Sequence, residues 1–348
     1  MNRLTATRLG SLRRCPRQHY YRYELGLSRI RDAAALRFGA AYHVGLELFN
    51  SGKSADEAIA TATAGYATCP AWAEPAEWAV ECEKIRQLLA GYFWRYENDY
   101  IEILSAEQVF ESSLVNPVTG SASRTFSLAG KIDALVRLNN ARLAVLEYKT
   151  TGEDIGPDSE YWLRLRCDPQ ISQYILGARA LGHDTATVIY DVTRKPTIQP
   201  KQIPVLDEDG LKIVVDEHDE RIYNANRRPR QSPDSKKGWK LETRTESPEE
   251  YGRRLLEDIG DRPDFYYARR EVPRLEDELQ EFQLELWQQT RQLREAQRHG
   301  RWFRNVGRMT CEYCEFSELC LQSVEVNPGS PPAGYEILSD VHAELATT

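Results

Sequence analysis

Asp133, in "GKIDALV", and the pair Glu147 and Lys149, in "LAVLEYKT", are the side chains here best suited to chemistry on a phosphodiester. On a strand, residues two apart point to one face, so Glu147 and Lys149 share a face and Tyr148 points away. "NNA" between the two apolar runs reads as a tight hairpin. With a three-residue loop, Leu138 pairs with Arg142 and Asp133 falls opposite Glu147. Directly opposed side chains lie about 5 Å apart. Two carboxylates at that distance repel unless a cation lies between them. Mg²⁺ suits the pair, because it takes oxygen ligands and keeps waters. Lys149 could then orient or activate a water held by the cation, or stabilise charge building on a phosphate. A lone Glu-x-Lys is common and says little. Gly130, three residues before Asp133, and the apolar neighbours that bury both strands favour a centre over a surface ion pair.

Other candidates surround these three. Glu107, on the preceding strand, is a further acid that could be structural or functional. His43 sits on an apolar helix, "FGAAYHVGLELF", where a packed core histidine is as natural as a ligand. Gln170 and Tyr174, four apart in "DPQISQYILGA", share a helix face and could hold the lysine or a phosphate, or simply form a surface pair.

A second constellation brackets the chain. Cys311, Cys314 and Cys320 form C-x2-C-x5-C near one end, and Cys15 stands near the other. Seven cysteines, three of them within ten residues, favour metal ligation over disulfides in a reducing compartment. Cys69, Cys82 and Cys167 are isolated, so Cys15 is the best fourth ligand. Four thiolates suit tetrahedral zinc or an iron–sulfur cluster, and spacing does not decide between them. Either would staple the two ends of the chain together.

At 348 residues the chain can form one large domain or two small ones, with an ordinary apolar content. No apolar run approaches the ~20 residues of a membrane helix. The first residues carry positive charge without the hydrophobic stretch of a secretory signal, so a cytoplasmic protein is expected. A net charge of −8 argues against bulk nucleic-acid binding, but phosphate contact needs only a basic patch. Arg3, Arg8, Arg13, Arg14, Arg17, Arg22, Arg29, Arg31 and Arg37 face only Glu24 and Asp32 in their stretch. Tyr20, Tyr21 and Tyr23 interleave with them and could stack bases or belong to the core. "RRPRQSPDSKKGWK", from Arg227, is a second basic run.

Apolar periodicity gives helices over 33–49, 54–67, 78–98, 168–181 and 274–298, the last with Leu275, Leu279, Phe282, Leu286 and Leu293 on one stripe ending at Gly300. "AEQVFESSL", "FSLAGKIDALVRL", "RLAVLEYKT" and "TATVIYDVT" read as strands, and "DFYYARREVPR" as a strand returning to the sheet. Residues 205–265 are polar, with a mobile loop expected near 227–240 and no internal repeat. A loosely held end is expected from about residue 325. The order predicts a mixed α/β fold, one sheet flanked by helices.

These segments together resemble the PD-(D/E)xK nucleases of the RecB type, in the branch with an iron–sulfur staple. That branch includes the AddB recombination nuclease domain, the CRISPR adaptation exonucleases and many phage-encoded relatives. The resemblance runs from about residue 4 to 322, through "LTATRLGSLRRCPRQHYYRYELGL", "FGAAYHVGLELF", "GKIDALVRL", "LAVLEYKTTG", "QISQY" and "CEYCEFSELC". It implies a restriction-endonuclease-like core in a single domain over 1–324, with a helical insertion at about 33–100, a variable polar insertion at about 205–270 and a tail over 325–348. It implies His43, Asp133 and Glu147 as metal ligands with the Tyr148 backbone carbonyl, and Lys149 as the catalytic lysine. Gln170 and Tyr174 match the Q-x-x-x-Y motif near the DNA. Cys15, Cys311, Cys314 and Cys320 match the ligands of a [4Fe–4S] cluster that joins the two ends. The "PD" of the family name is here Ile132-Asp133.

The implied activity is a Mg²⁺- or Mn²⁺-dependent DNA exonuclease in recombination, repair or phage DNA processing, acting on single strands or duplex ends. The sequence has no G-x4-G-K-S/T motif, so any unwinding would come from a helicase or recombination partner. Two rival readings keep the fold: a non-catalytic DNA-binding or adaptor protein, and a zinc-stapled structural protein whose Glu-x-Lys is incidental.

Overall fold

The computed structural model describes residues 2–31, 33–99, 101–139, 141–327 and 329–346. Its centre is a six-stranded mixed sheet. The longest strand, Ala122–Arg137, carries Glu102–Val115 antiparallel along one edge. Its other edge is shared. Asn2–Leu4 runs parallel to residues 126–128, and Leu143–Thr151 runs antiparallel to residues 134–137. Between those two partners the edge at 129–133 forks open. Gln173, from the helix Pro169–Ala180, bridges the fork, its Nε2 donating to the carbonyls of Leu4 and Ala129 at 3.3 and 2.9 Å. The sheet continues from Leu143–Thr151 to the parallel Thr185–Arg194 and ends on the antiparallel Tyr267–Pro273.

Leu143–Thr151 is central and covered on both faces, which is why it reads as a nearly continuous apolar run. Val145 packs into one core with the helices Ala6–Arg14, Pro169–Ala180 and Glu276–His299. Ala144, Leu146 and Tyr148 pack into a second core with the helices Ala34–Asn50, Ala55–Thr63, Pro75–Arg95 and Pro248–Asp261. Two of these helices start on capping boxes, Ser54 with Glu57 and Ser247 with Glu250. Pro75 and Pro248 take first-turn positions, where a missing N–H costs nothing.

Phe110 is wedged between the long strand and the helix Pro169–Ala180. A Cβ on Gly177 would meet its ring at 2.4 Å, and one on Gly130 at 2.7 Å. Gly177→Ala therefore sets a helix-propensity gain of about 1 kcal/mol against an overpacking cost of about 1–3 kcal/mol in a locked core. The clash is expected to win, lowering the urea midpoint. Gly260→Ala, with nothing within 4 Å of its added carbon, is expected to raise it. Two shifts of the same sign would contradict this packing account.

Several expectations change. Leu275 is the residue before the helix Glu276–His299 and is 67% exposed, because the stripe begins at Leu279 and Leu275 only caps it. Among the described residues after 325, two segments are docked rather than loose. Tyr335–Ile337 pairs antiparallel with Leu27–Arg29, Tyr335 stacks on Phe316 at 5.9 Å, and the Thr5 hydroxyl donates to Glu344 at 2.7 Å. The polar segment does contain a repeat. At Asp207, Asp216 and Asn224 the backbone makes the same turn: the side-chain Oδ1 accepts from the N–H four residues on at 2.8, 2.9 and 3.0 Å. Each turn closes on a left-handed residue, Gly210, Asp219 or Arg227. The 227–240 stretch forms the third of these turns and a further one at Asp234–Trp239. Of the expected hairpin loop, Asn140 lies outside the described residues.

Candidate active centre and cysteine cavity

The fork in the sheet is where the chemically suited side chains meet. The hairpin ladder takes the register expected from a three-residue loop, with Leu138 N–H donating to Arg142 and Ala134 paired with Leu146. One step further Asp133 leaves the ladder, and its Oδ2 accepts from the Tyr148 N–H at 2.8 Å. His43 reaches the same carboxylate from the helix Ala34–Asn50, its Nδ1 3.7 Å from Asp133 Oδ2. The Tyr148 backbone also favours the charged form of that imidazole. Burial holds His43 below its usual range, with Lys149 and Lys131 adding and Asp133 opposing, so the ring is neutral with a lone pair available.

Glu147 is 2% exposed. Its Oε1 accepts from Lys149 Nζ at 2.5 Å and Gln170 Nε2 at 2.9 Å, while its Oε2 is buried without a partner. Gln170 also donates to the Tyr174 hydroxyl at 2.7 Å and accepts from Lys149 at 3.1 Å. Because the lysine can only donate, the amide oxygen must face it and the NH₂ must face Glu147. Asp168 caps the helix N-terminus through the Gln170 N–H at 2.8 Å, fixing the first turn that presents this amide. Burial works against the Lys149 charge, but Glu147, Asp133 and Asp168 together hold the ammonium above its usual range.

Burial, reinforced by Asp133 and opposed by Lys149, pushes the Glu147 carboxyl up to about 8. Between its ordinary 4.5 and about 8 the metal-free folded chain therefore holds a proton that the unfolded chain has released. This stabilising contribution is complete below pH 4.5 and is lost as pH rises through the window, by at most about 1.4 kcal/mol per pH unit. Urea unfolding in EDTA is expected to show the wild type losing stability from pH 5.5 to 8 relative to Glu147→Gln. Parallel pH profiles for the two proteins would contradict the shift.

The donor set fits a hard divalent cation: two carboxylates, one with an unpartnered buried oxygen, a neutral imidazole and a backbone carbonyl. Among the described residues no three His, Cys, Asp or Glu side chains stand close enough to grip an ion as they are. Glu107 adjoins the group. In the register of the two strands it faces Asp133, and it pairs with Lys131. Its φ of 55° is a left-handed backbone rarely stored in a strand by a residue other than glycine. Sequence reading could flag the acid but had no signal for the strain.

Cys15, Cys311, Cys314 and Cys320 line one small cavity between the two ends of the chain, with Gln18, Tyr21 and Phe316. Backbone N–H of Asn305 points at Cys15 Sγ from 3.4 Å, and Arg304 Nε at Cys320 Sγ from 3.3 Å, both suited to thiolates. Burial raises the Cys314 thiol above its ordinary value, with Cys15 and Cys320 adding, the electrostatic condition a bound cation relieves. An apolar seam of Tyr21, Leu27, Phe316, Leu319 and Tyr335 packs beside it. Cys69, Cys82 and Cys167 stand apart from the cavity.

The arginine-tyrosine stretch divides. Arg8 is buried and donates to His19, Glu24 and the Arg3 carbonyl. Tyr21 and Tyr23 are core, and Tyr20 stacks on Trp302, so none of the three is an open platform for bases. Arg230 and Lys237 of the second basic run lie over Trp239.

A mixed sheet forks here beside Asp133 and Glu147-x-Lys149, with the helix-borne His43 against Asp133. The chain belongs to the PD-(D/E)XK nuclease superfamily, whose family model matches residues 3–321. No curated protein matches it. Solved structures similar to it include one titled "Crystal structure of SSO0001", at 13% identity and a TM-score of 0.33, covering 93% of this chain and 88% of that one. Among the described residues no helix is long and apolar enough to cross a membrane.

Proposed function

We propose that this protein is a Mg²⁺- or Mn²⁺-dependent DNA exonuclease serving recombination, repair or phage DNA processing. The observation that carries the reading is Glu147: a fully buried carboxylate with one oxygen held by Lys149 and Gln170 and the other left for a ligand. His43, Asp133, Glu147 and the Tyr148 carbonyl would hold the ion. When bound, the ion supplies a Lewis acid for the phosphate and acidifies water. Lys149 places its charge where negative charge builds on the phosphate in the transition state. Gln170 fixes both Lys149 and Glu147 Oε1, and Tyr174 fixes Gln170. Neutral His43 keeps its lone pair for the ion.

The cysteine cavity would take a [4Fe–4S] cluster, with zinc as the alternative, in a structural role. Four thiols around one cavity support this, and visible absorbance with metal analysis separates the two. A helicase or recombination protein would supply unwinding where duplex DNA is the starting point.

Matched linear and circular DNA test the exonuclease part. Loss of linear DNA with circular DNA intact is expected. Nicking of circles at a similar rate would make the protein an endonuclease.

A further inference from the structure

A long groove runs from Lys149 and Gln170 to the C-x2-C loop, where Glu312, Tyr313, Cys314 and Glu315 form part of its wall. Gln18 and Cys314 line both this groove and the cysteine cavity. Six cationic side chains, Arg13, Arg14, Arg22, Arg29, Arg31 and Lys149, line it against three acids, so it is basic although the chain is −8. Arg13, Arg14 and Arg31 make no salt bridge among the described residues, which leaves them for phosphates.

Two large aromatics are left open in the same groove. Trp72 is 42% exposed and Tyr313 is 69% exposed. Trp72 is steadied edge-on by Trp78 at 5.9 Å, and Arg31 lies over its ring at 5.9 Å. Exposed rings beside unpaired arginines match the way single strands are held, bases on rings and phosphates on cations. In a duplex the base faces are stacked and out of reach of such rings. The deep position of Glu147 also asks for a chain that can bend down to it.

We infer that this groove grips one unpaired DNA strand, with Trp72 and Tyr313 as positioning residues that stack on its bases and feed it to the fork. This rests on the nuclease reading and adds the strand state and the residues that select it. Tyr313 lies between Cys311 and Cys314, so the cysteine cavity sets the position of one of the two stacking rings.

The test is fluorescence anisotropy on the full-length protein in EDTA, with a labelled mixed-sequence single strand and the same sequence as duplex. Trp72→Ala and Tyr313→Ala are each expected to weaken single-strand binding by about tenfold or more, and to leave duplex binding little changed. Trp72→Phe and Tyr313→Phe are expected to retain most of the affinity. In Mg²⁺ the alanine variants should raise KM for the single strand with kcat held. Alanine variants that bind the single strand like wild type, or lose single-strand and duplex binding equally, would overturn the proposal. Selective loss of single-strand binding in a protein that cuts nothing would keep the groove and sink the nuclease reading instead.

Discussion

Lys149→Ala is expected to lower DNA cleavage by at least about 100-fold while leaving DNA affinity within a small factor of wild type. Removing one preorganised charge at a developing oxyanion costs about 10²–10³ in rate. Here the loss has a second part. Lys149 is the cation that favours the ionised form of Glu147, opposing its burial and Asp133. Without it Glu147 holds its proton to higher pH, and the metal affinity of the site falls with it. The deficit should therefore shrink at high Mg²⁺ or raised pH without vanishing, and single-turnover rates at several metal concentrations separate the two parts. A variant with wild-type rates at every metal concentration would remove Lys149 from the mechanism.

Cys314→Ser is the second large effect. With a cluster on Cys15, Cys311, Cys314 and Cys320, the unfolded chain is closed into a loop of almost its full length. By chain entropy, closing so long a loop is worth on the order of 5 kcal/mol, or about 5–10 °C in Tm for a chain of this size. The seam of Tyr21, Phe316 and Tyr335 holds the ends together only in the folded state, so it does not replace that term. The serine variant is expected to lose iron and visible absorbance and to melt earlier by that margin, and EDTA should not reproduce the loss of colour. Equal melting of wild type and variant, each with the same metal content, would contradict the staple.

Much of the centre was legible because it depends on local spacing. The turn length between Leu138 and Arg142 fixes the register that brings Asp133 to Glu147, and alternation puts Glu147 beside Lys149. The i,i+4 spacing of Gln170 and Tyr174 likewise predicts their contact at 2.7 Å. Long-range features left no such trace. The fork at 129–133 arises because two strands far apart in sequence share one edge, and a three-residue strand at the start of the chain carries no periodicity to announce it. Docking of Tyr335–Ile337 depends on Leu27–Arg29 for the same reason. The turns at Asp207, Asp216 and Asn224 escaped because each is marked only by one Asp or Asn and one left-handed residue, with no recurring apolar position. Among the tyrosines near the N-terminus, burial depended on Trp302 and Phe316, which arrive some three hundred residues later.

The most direct test of the central claim is a time course of end-labelled linear DNA with anaerobically purified protein, in Mg²⁺ and in EDTA, beside Lys149→Ala. Release of short products in Mg²⁺ alone, lost in the variant, is the predicted result. Products that persist in EDTA or in the variant, or intact DNA in every lane, would contradict a metal-dependent nuclease built on Asp133, Glu147 and Lys149.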